Sequence, residues 1–155
     1  MGLVVSQSDL ILQRRDWKRN AQRVVFVAGC FDLLHPGHIR LLEQARSLGQ
    51  ILVVGVESDA SVRARKGSGR PVAPAAERAE ILAALDAVNA AVIWEGSGLT
   101  ALVIALAPDV IVAGADPTEP VLEQLKASGI EIVRIPLEPG YSTGLLLDRI
   151  AQSGA

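Results

Sequence analysis

The stretch VVFVAGCFDLLHPGHIRLLEQA, residues 24–45, passes from an apolar run through a glycine-containing turn into an amphipathic segment. Every residue of Val24–Ala28 is apolar, so the strand it predicts is covered on both faces. Pro36 suits a first helical turn, because a helix start leaves its N–H groups unpaired in any case. Leu41, Leu42, Ala45 and Leu48 then share one face, and Gly49 offers a stop. Buried strand, turn and helix make the first half of a βαβ unit. His35 and His38, both histidines of the chain, lie in the turn and the first helical turn after it.

Outward from this stretch the same alternation recurs. Ile51–Val56, Ala91–Trp94, Val110–Ala113 and Ile130–Ile135 read as further buried strands. Helices are expected from Pro74, over Thr100–Ala107, over Pro120–Ser128, and from a Ser142 cap through Ile150. Strand and helix in regular alternation predict an α/β fold: a doubly wound, five-stranded, parallel, Rossmann-like sheet with right-handed crossovers. Ligands in such folds bind beyond the carboxyl ends of the strands, where the strand order reverses. Residues 3–20 read as an amphipathic helical extension ahead of a core over 21–155, and Arg63–Pro71, Gly-rich and basic, reads as a mobile loop. No internal repeat or low-complexity tract is evident.

The 155 residues suit one domain, and half of them are hydrophobic, enough for a substantial interior. The apolar runs fall well short of the roughly 20 residues that span a bilayer. The N-terminus has no signal-peptide order, so the expected address is the cytoplasm and no membrane partner is expected. A single cysteine excludes an internal disulfide framework and a cysteine zinc cluster. A net charge of −2, with two Trp, two Phe and one Tyr, argues against nucleic acid as a partner.

Three readings of the histidines compete. A polar helix cap is the plainest, and a zinc site is weak because no third ligand stands near a His-x-x-His pair. A phosphate site explains more. The two imidazoles lie about one helical turn apart, the turn follows the first strand of an α/β sheet, and Gly37 allows close approach to the backbone. A helix N-terminus itself attracts anions through free N–H groups and the dipole.

Residues 29–38, GCFDLLHPGH, resemble the G-x-F-D-x-x-H-x-G-H signature of the cytidylyltransferase-like nucleotidyltransferase superfamily. The likeness continues through VGVESDASVRARKGSGRPVAPAAERAEILAALDAV, PDVIVAGAD and IPLEPGYSTGLLLDRI, about residues 20–150. The branch most similar is the adenylyltransferase domain of ADP-heptose synthase, chiefly through SDASVRARKGSGRPV. The resemblance implies transfer of AMP from ATP to a sugar 1-phosphate such as heptose 1-phosphate, with release of pyrophosphate. It also implies Mg2+ carried on the nucleotide phosphates, with no metal ligands from the protein, and a homodimer. Two alternatives stay open. One is CTP or ATP with another small phosphorylated acceptor, such as glycerol 3-phosphate. The other is a degenerate nucleotide-binding protein without turnover.

By the same resemblance, His35, His38 and Lys66 are the catalytic candidates, Lys66 closing over the phosphates on its loop. Gly29, Cys30, Phe31, Gly37, Asp116, Ser142 and Thr143 are assigned to the nucleotide together with His38. Asp32, Asp59, Arg70 and Arg78 are assigned to the acceptor. Plainer readings stand beside several of these: Lys66 as a solvated lysine, Asp32, Asp59 and Ser142 as helix caps, Cys30 as a small buried residue. Arg63, Arg65 and Arg70 share the basic segment; at least one of them is expected to be only solvated, and Arg70, anchored by Pro71, is the one expected to point inward. Arg78 reads equally well as a surface ion pair with Glu77 or Glu80. Relatives often carry lysine at Ala113, an aromatic at Pro117, threonine at Gly144, and Asn or Thr at Ala28, so a charge and a stacking surface are missing here.

Overall fold

A computed structural model describes residues 1–113, 125–136 and 138–154. The predicted strands appear as β2 (Val24–Gly29), β3 (Ile51–Glu57), β4 (Ala90–Trp94), β5 (Val110–Ala113) and β6 (Glu131–Arg134). One strand was not foreseen: β1 (Leu3–Val4), which pairs in parallel with β4. The sheet is therefore six-stranded rather than five-stranded, all parallel, in the order β1-β4-β3-β2-β5-β6. The order reverses between β2 and β5, so the carboxyl ends of these two strands flank the switch point.

Residues 3–20 are not a helical extension apart from the core. Strand β1 joins the sheet edge, and α1 (Gln7–Arg19), capped by Ser6, buries Leu10 completely. A two-residue strand is too short to leave a periodic signal, and it exists only because β4 offers a free edge.

The helices cover both faces, as double winding requires. Leu41, Leu42 and Ala45 of α2 (Pro36–Arg46) and Ala79, Leu82 and Ala83 of α4 (Ala75–Ala84) pack on Val25, Val27, Leu52, Val54 and Val56. Leu10 of α1 and Leu102, Val103 and Leu106 of α5 (Gly98–Leu106) pack on Val24, Phe26, Ile51, Val53 and Val92. Strand residues alternate between the two clusters with period two, which explains why every residue of β3 is buried. The last helix, α6 (Thr143–Gln152), starts at the expected Ser142 cap.

The basic segment after β3 departs from the expected loop. Asp59–Lys66 is a helix, α3, whose N-cap Ser58 accepts from the Ser61 N–H at 3.2 Å. Its stop is Gly67, at φ 100°. Lys66 is thus the last residue of a capped helix and not the tip of a mobile loop. The Gly-rich tail of the segment masked the helical half.

Candidate active site

The turn after β2 carries the signature residues to the carboxyl edge. Phe31 has φ 49°, a left-handed value that costs a bulky residue about 1–2 kcal/mol, and it is held by burial to 5% exposure. A Cβ on Gly29 would meet the Phe31 ring at 3.0 Å, so any larger residue there would have to displace the ring.

His35 and His38 cap α2 reciprocally. The His38 N–H donates to His35 Nδ1 at 3.4 Å, and the His35 N–H donates to His38 Nδ1 at 3.3 Å. Both interactions are long, but together they turn the two rings face to face, with centroids 3.8 Å apart and planes at 26°. With each Nδ1 accepting, the neutral rings carry their protons on Nε2. Among the described residues no acceptor meets either Nε2. Burial lowers the His35 pKa. Burial first, then the His35 and Lys66 charges, push His38 down to about 4. The pair is therefore neutral near pH 7, with two N–H donors left for a ligand, and the Lys66 charge is close enough to be felt by His38.

Tyr141 completes the stack and is the residue that the sequence reading missed. Its ring lies 5.9 Å from that of His35 at 20°, and Arg40 stands 5.4 Å from its centroid while also pairing with Glu138. A Cβ on Gly37 would meet both the His35 ring and Tyr141 Cβ at 2.9 Å. The close approach predicted at Gly37 is thus made by the protein's own rings. Phe31 closes the other end, tilted at 56° to His38. Tyr141 leaves no periodic or motif signal; only its position next to the Ser142–Thr143 pair could have drawn attention to it.

Ser142 spends its hydroxyl on the Leu145 N–H at 3.0 Å, while the Thr143 hydroxyl donates to the Leu33 carbonyl at 3.4 Å. The first bond caps α6, and the second ties its start to the histidine turn. Cys30 is free and half-buried. Asp116 and Pro117 lie outside the described residues. Ala113 ends β5 and Ala28 is the penultimate residue of the neighbouring β2, both on the α1–α5 side of the sheet, where a lysine and a polar residue are absent.

The four acceptor candidates divide. Asp32 is buried to 5% and accepts from Arg70 Nε at 2.8 Å, from the Val72 N–H at 2.9 Å and from the Ala73 N–H at 3.0 Å. Burial alone would raise its carboxyl pKa, but these N–H donors and the Arg70 charge outweigh it and hold it low. Asp32 therefore anchors the 70–73 segment, with its oxygens already committed. Arg70 is left with a buried Nη2 that has no partner among the described residues.

Asp59 caps α4 and not its own helix: its Oδ1 accepts from the Ala75 N–H at 2.9 Å and from Arg78 Nη2 at 2.7 Å. Arg78 is 1% exposed and its guanidinium is bonded within the protein, so the surface pair with Glu77 or Glu80 is not made. Among the described residues no three His, Cys, Asp or Glu side chains group to hold a metal ion. With both Asp32 oxygens and Asp59 Oδ1 bonded to protein donors, the remaining N–H donors at this edge suit an anion.

A parallel sheet with a stacked histidine pair at its switch point, and a lysine charge that the pair feels, is an arrangement of the nucleotidyltransferase-like fold that can receive an anion. The chain belongs to the cytidylyltransferase-like family, whose model matches residues 26–139. It is 43% identical over 149 residues to Bifunctional protein HldE of Koribacter versatilis (strain Ellin345) and 43% identical over 150 residues to that of Rhodopseudomonas palustris (strain HaA2). These matches cover 94% and 95% of the chain but 31% of each relative, so the chain spans about a third of their length. Among solved structures, a lipopolysaccharide core biosynthesis protein from Thermoplasma volcanium GSS1 superposes with TM-score 0.65 at 28% identity, covering 76% of this chain and 97% of that one. A pantoate-beta-alanine ligase from Francisella tularensis shares the fold at TM-score 0.64 and 17% identity, covering 90% of this chain and 69% of that one. No helix of the described residues is long and apolar enough to cross a membrane.

Proposed function

We propose that this nucleotidyltransferase moves AMP from ATP to a sugar 1-phosphate, with heptose 1-phosphate the first acceptor to try, and releases pyrophosphate. A phosphate oxygen of the acceptor bonds to the α-phosphorus, the bond to the β-phosphate breaks, and its electron pair leaves on pyrophosphate. No covalent bond to the protein is needed, so the protein's task is alignment and stabilisation of charge. One observation carries the reading: two neutral imidazoles, locked face to face, present Nε2–H donors at a helix start beside Lys66. Such donors can follow the oxygens of a phosphorus as negative charge shifts onto them. The unpartnered Arg70 Nη2 is the natural donor to the acceptor's phosphate. Mg2+ enters with the nucleotide as part of the substrate complex.

The sugar acceptor is supported by the relatives named HldE and by the lipopolysaccharide core protein. The cytidylyltransferase-like family description favours CTP in the second reading, with another small phosphorylated acceptor, such as glycerol 3-phosphate, in place of the sugar. Incubation with ATP or CTP, Mg2+ and a panel of sugar and polyol phosphates tests both. Pyrophosphate and a nucleotide-linked sugar are expected with ATP. His38→Ala is expected to lower kcat roughly 10²- to 10³-fold, as loss of a charge-stabilising donor does. No pyrophosphate with any pair of substrates overturns the assignment, and full activity in His38→Ala overturns the role of the histidines.

A further inference from the structure

Arg78 is the most buried charged side chain among the described residues, and its guanidinium joins three segments: the turn after β2, the β3–α3 junction and the stretch before α4. Nε donates to the Ala73 carbonyl at 2.8 Å, and Nη1 donates to the Cys30 carbonyl at 2.6 Å and the Glu57 carbonyl at 2.8 Å. Nη2 donates to Asp59 Oδ1 at 2.7 Å. A buried guanidinium is costly unless it is fully bonded, and here four donations satisfy it. The partners are not arbitrary. Cys30 precedes Phe31, whose left-handed backbone puts its ring against His38. Asp59 opens α3, which ends at Lys66. Glu57 ends β3, and Ala73 is the last residue of the segment that Asp32 holds.

We propose that Arg78 is a positioning residue that sets the histidine turn and the Lys66 helix against each other, so that the stacked imidazoles and the ammonium act on one phosphate. It touches neither substrate. The proposal rests on the nucleotidyl-transfer reading for its catalytic consequence but not for its structural one. Lysine cannot replace the fork, because one ammonium cannot reach carbonyls on three separate segments and a carboxylate at once.

Two histidines in the chain give two imidazole signals, so selective labelling and NMR report on the pair without turnover. In Arg78→Lys the His38 titration is expected to move up from about 4 toward the ordinary value as the stack and Lys66 drift. Its kcat is expected to fall roughly 10- to 100-fold with a smaller change in KM, as misalignment does. In Arg78→Ala, millimolar guanidinium is expected to restore the titration, while sodium chloride at equal ionic strength does not. A lower melting temperature with an unchanged His38 titration in folded Arg78→Lys overturns the proposal. If neither Arg78 variant folds, Asp59→Asn, which keeps the shape but removes the charge, takes the same measurement. Failure of all three to fold also overturns it, since Arg78 is then a determinant of the fold alone. Absence of turnover in the unaltered protein with the titration shifted as expected would overturn the proposed reaction and leave the positioning role standing.

Discussion

At the scale of single residues, the site works through a charge withheld. Burial, with the Lys66 charge nearby, keeps His38 neutral at pH 7, so its Nε2–H is available as a donor without adding a cation. Its pKa in the unfolded chain is near 6.5, and it is lowered to about 4 in the fold. Above pH 6.5 both states hold the neutral ring and the stability is fully present. As pH falls toward 4 the unfolded chain gains the proton first, and stability is lost. The urea midpoint is therefore expected to decline between pH 6.5 and 5, before most carboxylates titrate, and to decline less in His38→Gln. Equal slopes in the two proteins would contradict this. A bound polyphosphate reverses the local field, so the NMR midpoint of His38 should rise when nucleotide is added.

At the scale of elements, three helix starts converge on the histidine turn, and each is fixed by a different cap. Helix α2 uses its own histidines, α4 borrows Asp59, and α6 uses Ser142. Between α2 and α6, Tyr141 lies parallel to His35, held by Arg40. Aromatic pairs of this spacing contribute about 0.5–1.5 kcal/mol. Tyr141→Leu keeps apolar bulk but loses the flat face. It is expected to cost about 1 kcal/mol of stability and to lower kcat more than nucleotide affinity. Melting curves and pyrophosphate release check it, and wild-type kcat would remove Tyr141 from the site's support. Helix α3 was hidden in the sequence because its cap, Ser58, follows the last residue of β3 directly, and a Gly-rich tail comes right after the helix.

At the scale of the molecule, two apolar layers hold the sheet so that its carboxyl edge is rigid where the turns meet. Leu42 is 1% exposed in the layer beneath α2 and anchors the helix whose start bears the histidines. Leu42→Ala is expected to cost about 2–5 kcal/mol, from lost burial and a residual cavity. Denaturant unfolding reads this directly. A cost below about 1 kcal/mol would mean that α2 is held by its caps and the loop contacts rather than by its apolar face.

The alternation of apolar runs with amphipathic segments was enough to define the α/β class, the strand positions and the turn that bears His35 and His38. Those features follow from periodicity and local turn chemistry, which a linear chain displays. The sequence also marked Arg70 as inward-facing, although not the Asp32 carboxylate that holds it. What only the tertiary structure decided are the contacts between distant segments. Strand β1 depends on the free edge of β4, Tyr141 meets His35 from 106 positions away, and Arg78 reaches the Cys30 carbonyl across 48. A buried arginine and a surface one look alike in a sequence. Their difference lies in which carbonyls the folded chain brings within reach, and that geometry exists only once the sheet has formed.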